Sequence, residues 1–195
     1  MQKNIIVGID LAGTGKNPTG WAMWENKVVS ACQLYNNEEI LRRSISCDPA
    51  LIAIDAPLSL PAKDIMRGAD REMYKRGYSV FPPRFPSMEK LTLRAMKIAQ
   101  EIARRGFDVI EVHPTSTRKA LNMPTKDWDK IQTLFLHLGL KGDLEMRALT
   151  PHEIDATTAA LTGHLYLEGK TELVGDEKEG YIVVPLKRDW RGLQL

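Results

Sequence analysis

The sequence predicts an α/β fold, a mixed sheet with helices on both faces. Three observations predict it. Three apolar, β-branched runs follow one another within the first 35 residues, two of them joined by the tight connection Glu25-Asn26-Lys27. Strand and helix patterns then alternate, and the segment from Thr150 opens a long helix with a capping box. At 195 residues and 43% apolar content the chain has material for a substantial core, which is read as a single domain over 1–195 with an insertion at about 57–90.

The first strand is expected over 4–11, followed by the turn 12–18 and by strands over 19–25 and 27–35. Asn36 or Asn37 caps a helix reaching residue 45, with Leu41 and Ile45 inward and Arg42 and Arg43 outward. Asp48-Pro49 ends it, and 50–55 is a buried strand. The proline-rich insertion comes next, with a short polar helix over about 63–76. Ser87 is the expected cap of a helix to residue 105 that presents Met88, Leu91, Ala95, Ile98 and Ile102 at helical spacing; Gly106 stops it. A strand over 107–112 completes a five-stranded sheet, with one more strand at 181–184 in the tail. Short helices are expected from Pro114 and over 128–138, and the last runs from the Thr150-Pro151-His152-Glu153 box through Leu167.

Net charge is +2, which permits a nucleic-acid partner without requiring one. Cys32 and Cys47 lack metal-ligand spacing and read as reduced thiols of a cytoplasmic protein. No stretch approaches the roughly 18 apolar residues of a membrane span, and the first residues lack the pattern of a signal peptide.

Four acids stand out. Asp10, Asp55 and Glu111 lie at the ends of apolar strands, and Asp155 lies in the first turns of the last helix, where the helix dipole favours its ionised form. A carboxylate at the end of a buried strand is costly to desolvate without a positive partner, and most of these have no arginine or lysine beside them in the sequence. A divalent cation is the simplest partner. Arg67, Arg71 and Lys75 recur every four residues, as a phosphate-binding helical face or as a solvated face paired with Asp70 and Glu72. Arg84, between Phe81 and Phe85, is placed to clamp a nucleotide or to pack the insertion, and His113 and His152 to orient ligands or cap turns.

The pattern resembles the RNase H-like superfamily. GIDLAGT, TGWA, IAIDAPLSLP, RGADREMYKRG, FPPRFPSM, EVHP, HEIDATTAALTG and EGYIVVP together resemble a family of predicted RNase H-like nucleases, and HEIDATTAAL is similar to the H-x-x-D-A helix of RuvC-type resolvases. The resemblance implies that Asp10 bridges two magnesium or manganese ions, with Asp55 or Glu111 and Asp155 as further ligands, and that the substrate is nucleic acid, DNA or RNA. Two such ions, about 3.5–4 Å apart, suit in-line attack of water on a phosphodiester. Residues 8–20 are also similar to the phosphate-binding hairpin of actin-like and sugar kinases, with Thr14 and Lys16 in it. That reading implies an ATP-binding phosphotransferase working as a homodimer. A third reading is a non-catalytic binding protein.

Overall fold

In the computed structural model, which describes residues 5–195, β1 (Ile6–Asp10), β2 (Thr19–Glu25) and β3 (Val28–Leu34) form an antiparallel meander. The expected start of the first strand at Asn4 lies outside the described residues. Asn26 and Lys27 turn the second hairpin with φ of 48° and 68°, the left-handed pair that matches the twist of the flanking strands. Asn36 then caps α1 (Asn37–Ser46), its Oδ1 accepting the Glu39 N–H at 2.8 Å. The inner face of α1 is set by Ile40 and Ser44, one residue earlier than expected; Ser44 is buried because its hydroxyl accepts the Trp21 indole N–H at 3.0 Å.

β4 (Leu51–Asp55) and β5 (Val109–Val112) add parallel to β1 in turn, and Asp10 and Asp55 fall opposite each other in register. Between them the chain makes α2 (Gly68–Lys75) and α3 (Glu89–Arg104). The helix expected over 63–76 starts at Gly68 because Arg67 is extended and turned inward. No side chain caps α3, so Ser87 is not the cap; its buried line is Thr92, Ala95, Ile98 and Ile102. After β5 come α4 (Pro114–Ala120), α5 (Trp128–His137), the two-residue β6 (Lys141–Gly142), α6 (Asp143–Met146) and α7 (Pro151–Leu167). β7 (Thr171–Asp176) and β8 (Gly180–Pro185) close the chain as a hairpin.

Among the described residues the sheet has eight strands in the order β6-β3-β2-β1-β4-β5-β8-β7, against the expected five-stranded sheet, and the strand expected at 181–184 is β8. The additions are the stub β6 on β3 and the β7–β8 hairpin, where β8 runs parallel to β5. Only β8 had a clear apolar run in the sequence. One face carries α7 and α5 over Ile6, Ala22, Trp24, Val29 and Ala31. The other carries α1 and α3 over Val7, Ile9, Trp21, Ile52 and Ile54. The apolar alternation along β1 and β4 thus serves two cores, as strands covered on both faces require. Among the described residues no helix is long and apolar enough to cross a membrane.

Candidate active site

Two glycines set where α7 sits. A Cβ at Gly8 of β1 would lie 2.0 Å from the Ala156 carbonyl oxygen, and one at Gly20 of β2 would lie 2.0 Å from that of His152. Only glycine allows the first turns of α7 to lie directly on these strands. Thr150 caps α7, and Glu153 returns a 2.8 Å bond to the Thr150 N–H, completing the box read from the sequence. This packing brings His152 and Asp155 to the end of β1.

Asp10 shares the face of Gly8, and its Oδ2 lies 2.6 Å from His152 Nδ1. That contact raises the pKa of His152. Asp55, in register with Asp10, shares this face. Burial pushes the Asp55 carboxyl well above the usual carboxylate range, and the charges of Asp10 and then Asp155 push it further; Arg118 opposes them. Among the described residues no hydrogen-bond donor contacts the Asp55 carboxylate.

Asp155 is pushed up by burial, against the pull of Arg118. Asp155 is the fifth residue of α7, past the first turn where the helix dipole acts most strongly, and the positive charge that answers it is that of Arg118. Arg118, fully buried on α4, is the partner the sequence concealed. It donates to Asp155 Oδ1 and to Thr158 Oγ1, and stacks 5.4 Å from the Trp128 ring centroid.

Glu111 is placed differently. It pairs in register with Ile54 and not with Asp55, so the pleat turns it to the opposite face. There Arg67 grips both its oxygens, Nη1 to Oε2 at 2.7 Å and Nη2 to Oε1 at 2.6 Å, and the Leu58 N–H donates to Oε2 at 2.7 Å. Arg67 also donates from Nε and Nη2 to Asp70, at 3.1 and 2.8 Å. With 0% exposure, Arg67 is absent from the basic face expected of α2. Arg71 and Lys75 are exposed and lie near Asp64 and Glu72, at 3.2 and 3.7 Å, as an ordinary solvated face. Arg84 is exposed, its Nη2 3.4 Å from the Pro61 carbonyl.

His113 caps α4: its Nδ1 accepts the Ser116 N–H at 3.3 Å. Burial, then Arg118, lowers its pKa to about 4. It lines a cavity of about 190 Å³ with Asp10, Asp55, Glu111, Arg67 and, from the insertion, Val80, Phe81 and Met88. A larger open groove of about 1000 Å³ along α3 is lined by no acid, histidine or cysteine.

Three carboxylates on rigid elements are the donor chemistry a hard divalent cation takes. Asp10 is turned onto His152 and Asp155 onto Arg118, and among the described residues no three such side chains stand at ligand spacing. Asp10, Asp55 and Asp155 thus share the donor chemistry and one end of the sheet without standing at ligand spacing, while Glu111 is committed to Arg67.

The sequence pattern of the family described as "Protein of unknown function (DUF429)" matches residues 8–180, and the chain belongs to that family. No curated protein matches the chain. Among solved structures it is similar to Thermus thermophilus RuvC in complex with a Holliday junction substrate, at 15% identity and a TM-score of 0.55, over 91% of this chain and 98% of that one. A second Thermus thermophilus RuvC structure aligns at 16% identity with a TM-score of 0.47, over 85% and 96%. The first likeness shows the fold, which is RNase H-like as the sequence pattern implied.

Proposed function

We propose that this DUF429 member is a nuclease that hydrolyses phosphodiester bonds of nucleic acid with the help of magnesium or manganese held by Asp10, Asp55 and Asp155. The observation that carries the reading is Asp55, a half-buried carboxylate whose nearest charged neighbours include two more carboxylates and to which no described residue donates a hydrogen bond. An apo site so arranged is electrostatically frustrated, and frustration of this kind marks function more often than architecture. The fold shared with a protein solved on a Holliday junction supports nucleic acid as the substrate class.

When bound, the cations supply Lewis acidity and lower the pKa of a bound water. The chain's own part is positional. β1 and β4 fix Asp10 and Asp55 side by side, α7 carries Asp155 over them, and His152 orients the Asp10 carboxylate. Arg118 holds Asp155 in place beside them. Arg71, Lys75 and Arg84 lie exposed on the insertion, where a phosphate backbone would compete for them with Asp64, Glu72 and the Pro61 carbonyl. In this reading the chain works as one domain, and residues 57–90 wall the site.

The test is incubation of the protein with single-stranded, duplex and four-way-junction DNA and with RNA, in magnesium, manganese or chelator. Cleavage is expected with metal, and none with chelator or with Asp10→Asn. Magnesium-dependent ATP binding and hydrolysis without oligonucleotide cleavage would instead favour the phosphate-binding role of the 12–18 turn.

A further inference from the structure

The cavity beneath the insertion has a chemistry of its own. Away from Asp10 and Asp55 its wall is apolar at Leu11, Val80, Phe81, Met88 and Leu91, and otherwise holds the mutually paired Arg67, Asp70 and Glu111 and the ring of His113. Arg67, which also lines it, is spent on Glu111 and Asp70, so the cavity offers a phosphate no free cation. It does offer one oriented donor. His113 Nδ1 lies 2.7 Å from Ser116 Oγ and 3.3 Å from the Ser116 N–H; with Nδ1 the acceptor of both, the neutral ring carries its proton on Nε2, and Nε2 bonds to no described residue. Phe81, 66% exposed, stands at the edge with an uncovered ring.

A space of about 190 Å³ is below the roughly 300–1,000 Å³ of ordinary ligand pockets; it admits one heterocycle and not a base pair. A flat, uncharged ring with an acceptor atom on its edge suits the apolar wall, the exposed Phe81 ring and the His113 donor. We propose that this cavity receives one unstacked nucleobase of the substrate, with Phe81 on its face and His113 Nε2–H donating to a ring nitrogen or carbonyl oxygen. The adjoining phosphate then lies over Asp10 and Asp55. The consequence is a preference for single-stranded or frayed ends, since a base inside a duplex must first leave its stack. The inference rests on the nuclease reading only in taking nucleic acid as the substrate.

The test is binding by fluorescence anisotropy, with phosphorothioate-linked oligonucleotides to slow turnover. The probes are a short single strand, the same strand with an abasic terminal nucleotide, and its blunt duplex, each with wild type and Phe81→Ala. The intact single strand is expected to bind about tenfold more tightly than either of the others. Phe81→Ala is expected to lose roughly tenfold on the intact end and nothing on the abasic end. Because Phe81 is exposed, folding is not at stake. Equal affinity for intact and abasic ends, or preference for the duplex, overturns the pocket even where metal-dependent cleavage is observed. Base-dependent binding by a protein that cleaves nothing upholds the pocket and removes the chemistry. Absence of all oligonucleotide binding overturns both.

Discussion

Asp55 and Glu111 close two neighbouring parallel strands, yet the fold treats them oppositely. Glu111 is buried with a guanidinium across both oxygens and a backbone N–H besides, while Asp55 is half-buried near the charges of Asp10 and Asp155 with no donor among the described residues. A carboxylate whose charge is answered inside the protein holds the insertion to the sheet: Arg67 enters α2 from the Glu111 contact, and Glu179 at the β7–β8 turn accepts the N–H groups of Ala62 and Gly68, each at 2.7 Å. A carboxylate left unanswered is poised for something brought from outside. The difference separates architecture from chemistry better than burial alone.

The largest expected effect is on the answered side. Arg67→Met leaves Glu111 and Asp70 buried without their cation, and should cost about 3–5 kcal/mol in denaturant unfolding. A cost near zero would mean that Glu111 is as unanswered as Asp55.

pH gives the next effect. The His113 pKa falls from 6.5 to about 4 on folding, so its contribution is complete above pH 6.5 and is lost as pH falls toward 4, roughly 3 kcal/mol in all. Asp55 has the opposite sign. Its folded pKa is raised, so the stability that protonation gives is complete below its ordinary value of 3.8 and is lost as pH rises through the raised value. Thermal melts of the metal-free protein across pH should show both limbs, and Asp55→Asn should remove only the second.

Asp55→Asn and Asp10→Asn should also abolish cleavage while leaving the metal-free protein at least as stable as wild type. Melts run beside a nuclease assay check whether activity and stability part in this way. The smallest effect belongs to Arg71→Ala. It loses only an exposed contact to Asp64, so stability should move by less than about 0.5 kcal/mol, while nucleic-acid affinity falls and its salt dependence flattens.

Much of this was legible in the sequence. Asn26-Lys27 announced the hairpin, Thr150 and Glu153 announced α7, and the strand-end positions of Asp10 and Asp55 survive as a face-sharing pair. Glu111 carried the same strand-end signal and ended on the other face, because facing depends on register, and the short apolar strand around Glu111 has no polar face to mark it. Arg67 misled by its spacing. Four residues before Arg71 reads as one helical face, but the helix begins one residue later, and Arg67 reaches Glu111 across 44 positions. Arg118 and Asp155 are 37 positions apart, a pairing that no local pattern reveals. Gly8 and Gly20 look like ordinary strand residues until α7 is seen resting on them.

The most direct measurement is the thermal melt of wild type and Asp55→Asn, each with chelator, magnesium or manganese. If Asp10, Asp55 and Asp155 form a cation site, metal raises the wild-type midpoint, while the variant melts at or above metal-free wild type and responds little to metal. A wild-type melt unmoved by either metal, together with a variant less stable than wild type, would contradict it and make Asp55 a structural residue.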